Sequence, residues 1–573
     1  MTEHYWGPND RRDGERRAAT DKTALSVPVR SRPPQYFPQS VISRIRLLFR
    51  PIPALTLAVG CLAPATGAAQ VSPWGTFPIQ FVDARVLPAG VLRVGFLPSY
   101  ASYDERFRAD GTAEPLGSDL TTDSLGSQIL TLLAPGEQAV RDVIGDSAYR
   151  MTLGPMTTRL DADVRRIPLD LSLGLTSRIT LTARVSLVKT RMQAFVTLDS
   201  TQANVGWNQL TTQAANTAGA AQITALIAQM GTAIQSLASQ IASGGHGCPG
   251  TASCTQAMDA LARAQTLLGH LATLATGAPL AHMIPVVPLT TSPAGAALRA
   301  EVAAVIAALQ SLGLGPIGGS FALPAKTLTA TDFQTLLADS AFGYQLRPLG
   351  TTDISKLGDS EVGLRVGVIQ RPAFRITLSG VARLPTATRD STAHVVDLGT
   401  GDRQLDAEFG IEAAFDPSGG VVALSGGAWY TRQFADNLRR RSAPAGSLAP
   451  KTAPQDEEFR RDLGDVLQAS VYPSLRLNEA FRVFASAYYF RKSRDVLDCT
   501  SCGVATDFGA GTDQRALFLG AGIHYRAEAT GGATRLPVEA GLSYQTAFSG
   551  RGGTTPKSTM LNLYLRLFYK ILN

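Results

Sequence analysis

Long apolar runs are missing from this chain. Of its 573 residues 45% are hydrophobic, yet after residue 70 no stretch of about 20 consecutive apolar residues occurs, which excludes a helical membrane protein. Charge is scarce and, past the leader, nearly balanced. Residues 1–69 hold ten Lys/Arg against five Asp/Glu, +5 of the net +7, so the remainder carries only +2. No basic stripe with interleaved aromatics is present, so no nucleic-acid partner is expected. From Val205 to Met258 there is no Asp, Glu, Lys or Arg at all. Phosphate-binding and metal motifs are absent, and neither cofactor nor metal is expected. Of six histidines, His4 precedes any exported region and His246, His270 and His282 fall in a helical stretch. His394 sits in a Thr/Asp loop near Asp390, where a solvated loop accounts for both. His524 has no obvious Ser partner, so no catalytic triad can be assembled and no enzyme is expected.

Cysteine is sparse as well. There are five, and Cys61 falls in a signal-like segment, which leaves Cys248 near Cys254 and Cys499 near Cys502. Two close pairs read as loop disulfides of an exported chain. The rivals are a zinc site or a redox CxxC, but a single CxxC without a second pair or a nearby His argues poorly for zinc.

What the sequence does have is alternation. Ile167, Leu169, Leu171, Leu173 and Leu175 alternate with Pro168, Asp170, Ser172 and Gly174; after Thr176-Ser177-Arg178, the residues Ile179, Leu181, Ala183, Val185 and Leu187 resume. Strand side chains point to opposite faces with period two, so this is a hairpin with one apolar face. Each arm holds the pattern for about the 9–11 residues that a tilted strand needs to cross a bilayer, longer than the usual soluble strand.

The same pattern gives a first strand at Val91–Tyr103 and nine more: Ser360–Ile369, Phe374–Leu384, Gln404–Phe415, Val421–Thr431, Leu463–Leu477, Phe481–Arg491, Arg515–Tyr525, Leu536–Phe548 and Leu561–Ile571. Twelve is an even number, and short connections alternate with long ones. Outer-membrane barrels have short periplasmic turns and long extracellular loops. The expected fold is an all-β transmembrane barrel of about twelve antiparallel strands, with an α-helical insertion in one extracellular loop, in the bacterial outer membrane. Closure explains the choice, because hydrocarbon offers no partner to an open sheet edge.

The expected organisation is a polar leader plus signal peptide at 1–69, strands one to three at 70–188, a helical insertion at 189–358 and strands four to twelve at 359–573. Arg44, Arg46 and Arg50 precede the apolar Ile52–Leu62, and Gly67-Ala68-Ala69 offers a cleavage site before Gln70. A lipoprotein box at Ala58–Cys61 is the rival, with Ala where Leu is usual. The long polar lead implies an extended n-region or a start codon assigned too early. In the insertion, Ile223, Leu226, Ile227, Met230, Ile234, Leu237 and Ile241 recur every three or four residues, as do Leu298, Val302, Val305, Ile306 and Leu309. A further helix near Ile129–Val143 and a short one capped at Thr331 are expected. The helices form either a bundle that covers its own stripes or a plug packed at the barrel mouth.

Four segments, Gly174–Leu181, Leu357–Leu364, Arg383–Thr386 and Asp397–Gln404, resemble the family named for the meta-pathway of phenol degradation. The resemblance covers the barrel and not the insertion, and Ala387 stands where that pattern has Gly. It implies an outer-membrane transporter of aromatic or other poorly soluble compounds.

Alternation also assigns the inward face. It places Arg184, Glu361, Arg365, Arg375, Arg383 and Glu408 in the lumen, with Asp406, Glu412, Arg476, Arg482, Glu539 and Arg566. Mixed signs on neighbouring strands imply internal salt bridges. The same rule turns Phe484, Tyr488, Phe490, Phe518, Tyr564 and Phe568 inward, a wall suited to apolar or aromatic cargo or to packing against a plug. The expected partners are outer-membrane lipid and a small-molecule cargo, with the oligomeric state open. The alternative is a barrel-anchored surface protein whose helical loop binds a partner.

Overall fold

The computed structural model describes residues 84–396, 398–417, 420–442, 455–499, 509, 511–527, 537–553 and 555–571. The leader, the signal segment with Cys61, and Cys502 lie outside them. Twelve antiparallel strands close into a barrel. β1 comes in two pieces, Val91–Phe96 and Ser99–Tyr103, broken at Leu97-Pro98. β2 (Met156–Gly174) and β3 (Ile179–Leu198) are the longest. β4 is also split, into Thr351–Leu357 and Ser360–Gln370. There follow β5 (Phe374–Leu384), β6 (Asp406–Phe415), β7 (Val422–Gln433) and β8 (Val466–Arg476). β9 (Phe481–Lys492), β10 (Gln514–Ala527), β11 (Val538–Arg551) and β12 (Thr559–Lys570) complete the wall. β12 pairs with both pieces of β1, with Val94 opposite Leu567 and Ser99 opposite Asn562, so no edge is left open.

The outward side chains of the expected strands form the apolar belt. Leu169, Leu171, Val185, Leu364, Ile411, Leu475, Leu542 and Leu563 are all more than a third exposed. A soluble protein rarely shows a contiguous apolar patch of that extent. A closed barrel with such a belt spans a bilayer, and the outer membrane is where such barrels reside.

β2 and β3 run well past the hairpin that alternation predicts, Ile167 to Leu187. The reason is an inversion of polarity along one unbroken strand. On β2, outward Ile167, Leu169 and Leu171 face lipid while inward Arg166, Asp170 and Ser172 are polar. Nearer its start the outward residues are Arg159, Asp161, Asp163 and Arg165, and inward Leu160, Ala162 and Val164 are buried. β3 switches at the same level. Thr180, Thr182 and Arg184 point inward below it; Val188, Met192 and Val196 point inward above it. Below the switch the solvent is lipid outside and a polar lumen inside. Above it the solvent is water outside and a dry core inside.

The helical segment supplies that core. α1 (Ala134–Ile144), α2 (Thr217–Ala242), α3 (Ala252–Thr276), α4 (Pro293–Ser311) and α5 (Ala330–Ala338) pack their stripes into one cluster with Leu160, Val164, Val188 and Met192. The bundle therefore covers the barrel's upper interior as well as its own stripes. Caps fix the helix starts: Asn216, Thr251 and Ser292 each accept a backbone N–H in the first turn of their helices. The N-cap of α5 is Thr329, not Thr331. Asp332 at the third helical position closes a capping box with Thr329, which sets the start two residues earlier. A Cys248–Cys254 disulfide staples the α2–α3 turn. Cys499 is disulfide-bonded as well.

Candidate functional site: the barrel lumen

Each lumenal residue read from alternation lies on the inward face, and charge is denser on β1 to β6 than on β7 to β12, where Arg566 and Glu539 still pair at 3.2 Å. Charges crowd β1 to β6. Arg93 and Arg184 reach Asp170 at 3.1 and 3.7 Å. Arg184 also reaches Glu361 at 2.9 Å, and Glu361 meets Arg383 at 3.5 Å. Arg383 continues to Asp406 at 2.9 Å and Glu408 at 3.6 Å. Arg365 pairs with Glu412. The result is a ladder of alternating sign across six strands. Neighbours set it by register, because Glu361 stands directly opposite Arg184 on one side and Arg383 on the other. Removing one rung would leave an opposite charge with fewer partners in a confined space.

Aromatic rings occupy β7 to β12. Trp429, Tyr472 and Phe484 form a cluster of their own, with Tyr472 and Phe484 edge to face at 6.0 Å. Tyr488 and Phe518 have ring centroids 5.8 Å apart, and the Tyr488 hydroxyl donates to Gln468 Oε1 at 3.0 Å. Tyr488, Phe490 and Phe518 belong to the continuous core shared with the helices, so these three pack against the cap. Tyr564 lies beside His524, under the Arg566 guanidinium at 5.1 Å. Phe568 stands opposite Arg93 at the periplasmic end and is half-buried.

The rings lie against the wall because glycine makes room for them. Trp429 stands opposite Gly410, and Phe484 opposite Gly522. A Cβ at either glycine would collide with the facing ring. The rings thus tile the sheet rather than project across the lumen.

Two features lie at the periplasmic end. Asp416 is a hub for Arg375, Arg476 and Arg482 at 3.9, 3.1 and 2.8 Å. Beside it the chain ahead of β1 enters the barrel: Leu87 N–H donates to Thr180 Oγ1 at 2.9 Å, and Thr377 Oγ1 donates to the Ala84 carbonyl at 2.7 Å. Ala84 is fully buried there.

Trp429, Tyr472, Arg93 and Asp416 were missed from the sequence. The first three obey the same alternation and could have been found by carrying it through every strand. Asp416 reads as a turn residue, and only three-dimensional proximity makes it a hub. His394 donates its backbone N–H to the Ser391 carbonyl at 3.1 Å and bridges to Arg347, a loop setting. Among the described residues no three His, Cys, Asp or Glu side chains converge as a metal site would need.

No protein-family model and no curated protein matches the chain. Solved structures do. The COG4313 outer membrane channel from Pseudomonas putida F1 matches with 10% identity over 85% of this chain and 98% of that one, at a TM-score of 0.37. The translocator domain of autotransporter NalP from Neisseria meningitidis matches with 8% identity over 85% and 90%, at 0.28. The Pseudomonas putida toluene transporter TodX matches with 11% identity over 88% and 96%, at 0.25. The fold assignment itself rests on the strand pairing and closure of this chain, which is an outer-membrane β-barrel.

Proposed function

We propose that the protein is a passive outer-membrane channel or transporter for small, apolar or aromatic molecules. The observation that carries this reading is the aromatic lining of β7 to β9, with Trp429 packed over Gly410 and Phe484 over Gly522, opposite a charged wall on β1 to β6. The rings of Trp429, Tyr472 and Phe484 are almost fully buried, so they act by making this side of the interior apolar and not by presenting a free stacking face. The charges opposite neutralise one another, so the interior carries no unbalanced sign on that side.

Liposomes reconstituted with the exported chain should admit a small aromatic solute faster than a sugar of equal size. Trp429→Ala should narrow that difference while leaving heat-modifiable gel mobility intact. Tight bilayers at all voltages, together with no binding of aromatic solutes, would overturn the reading.

A further inference from the structure

On the outward face, three arginines sit side by side. Arg491 on β9 stands directly opposite Arg515 on β10, and Arg515 opposite Arg551 on β11. All three are exposed. Like charges placed directly across a strand pair repel, so an uncompensated row of three is costly. Three other outward cations near the rim do have carboxylates: Arg159 with Asp161 at 3.0 Å, Lys189 with Asp353 at 2.8 Å, and Arg432 with Asp465 at 3.0 Å. No ion pair joins Arg491, Arg515 or Arg551 to any described residue, and Asp513 close by makes none either.

Their height is informative. Phe481 and Tyr525 lie at the periplasmic end with ring centroids 4.9 Å apart, and Arg491 lies ten residues further along the strand of Phe481. At roughly 3.3 Å per residue and a tilt of about 40° this is about 25 Å, the height of the apolar band. Just below the row lie exposed Tyr489 and Leu519. The triplet therefore sits where outer-leaflet headgroups meet the acyl region.

We propose that Arg491, Arg515 and Arg551 bind the phosphates of a phosphorylated outer-leaflet glycolipid, with its acyl chains against Tyr489 and Leu519. Guanidinium forks match phosphate oxygens bidentately, and three in a row suit a headgroup with two phosphates. The proposal depends on the barrel being in a membrane and is independent of what the lumen carries.

The test uses the delipidated exported chain in detergent, titrated with diphosphoryl lipid A and read by native mass spectrometry. A one-to-one adduct is expected. The triple variant R491Q/R515Q/R551Q should bind about tenfold more weakly, and the triple Arg→Lys variant should recover most of the loss. Monophosphoryl lipid A should bind less tightly than the diphosphoryl form. Millimolar inorganic phosphate should fail to displace the lipid; displacement by phosphate alone would mark a free-anion site and overturn the proposal. Equal adducts in the wild type and the folded triple Gln variant would overturn it too. If the triple variant loses heat-modifiable mobility, R515Q alone carries the test, with weaker binding expected and unchanged binding contradictory.

Discussion

The lower and upper halves of β2 and β3 are built from the same strands with opposite polarity. Below Arg165 and Arg166 the apolar side chains point out, as in Leu169 and Leu171. Above them they point in, as in Leu160 and Val164. Nothing in the backbone marks the change, since the β2–β3 pairing runs without a register shift from Met156 to Gly174. What changes is the surroundings. A transmembrane strand reads inside-out only where lipid touches it, and once past the membrane the same strand obeys the rule of a soluble protein.

The sharpest way to break this contrast is to place a charge on the buried side of each half. Leu160→Asp puts an unpaired charge into the cap core and should cost about 3–5 kcal/mol, measured by urea unfolding from vesicles. Leu171→Arg should cost about 2–4 kcal/mol in the same assay, because its side chain faces hydrocarbon. Asp170→Asn leaves Arg93 and Arg184 with a weaker partner in the lumen and should cost about 1–3 kcal/mol.

Thr329→Ala opens the α5 capping box and should cost about 1 kcal/mol in cap stability, read by hydrogen exchange of α5. The same box has a pH signature. Burial raises the Asp332 carboxyl, but bonds from the Thr329 N–H and hydroxyl and from Trp207 outweigh it and hold it below its ordinary value. A carboxyl lowered in the folded state stabilises above its unfolded pKa, and that stability drains away as pH falls through the lower folded value. Protection of α5 should therefore drop on acidification below about pH 4, and Asp332→Asn should flatten that drop. Finally, Arg159→Leu should fall within about 0.5 kcal/mol of zero, since its outward site above the switch faces water.

The barrel was legible in the sequence because lipid-facing alternation is periodic and local. Leu561 to Ile571 and Leu405 to Ala413 spell their strands without outside help. The early part of β2 and the later part of β3 were not legible, because there the apolar residues switch from odd to even positions and resemble a break. The lumenal charges Arg365, Arg375, Glu408 and Arg482 were legible as facing inward. Which carboxylate each one meets was not, since pairing depends on register and on turns such as Asp416. The inward direction of Tyr488, Phe490 and Phe518 was also readable. Their burial under the helical cap was not, because the cap is a distant part of the chain that arrives from above.

The most direct test places a single added thiol at outward positions on either side of the switch. Spin labels on Leu171→Cys and Val185→Cys should be relaxed by a lipid-soluble agent and shielded from an aqueous one; labels on Arg159→Cys and Gln193→Cys should show the reverse. Aqueous access at Leu171 and Val185 equal to that at Arg159 would contradict the account.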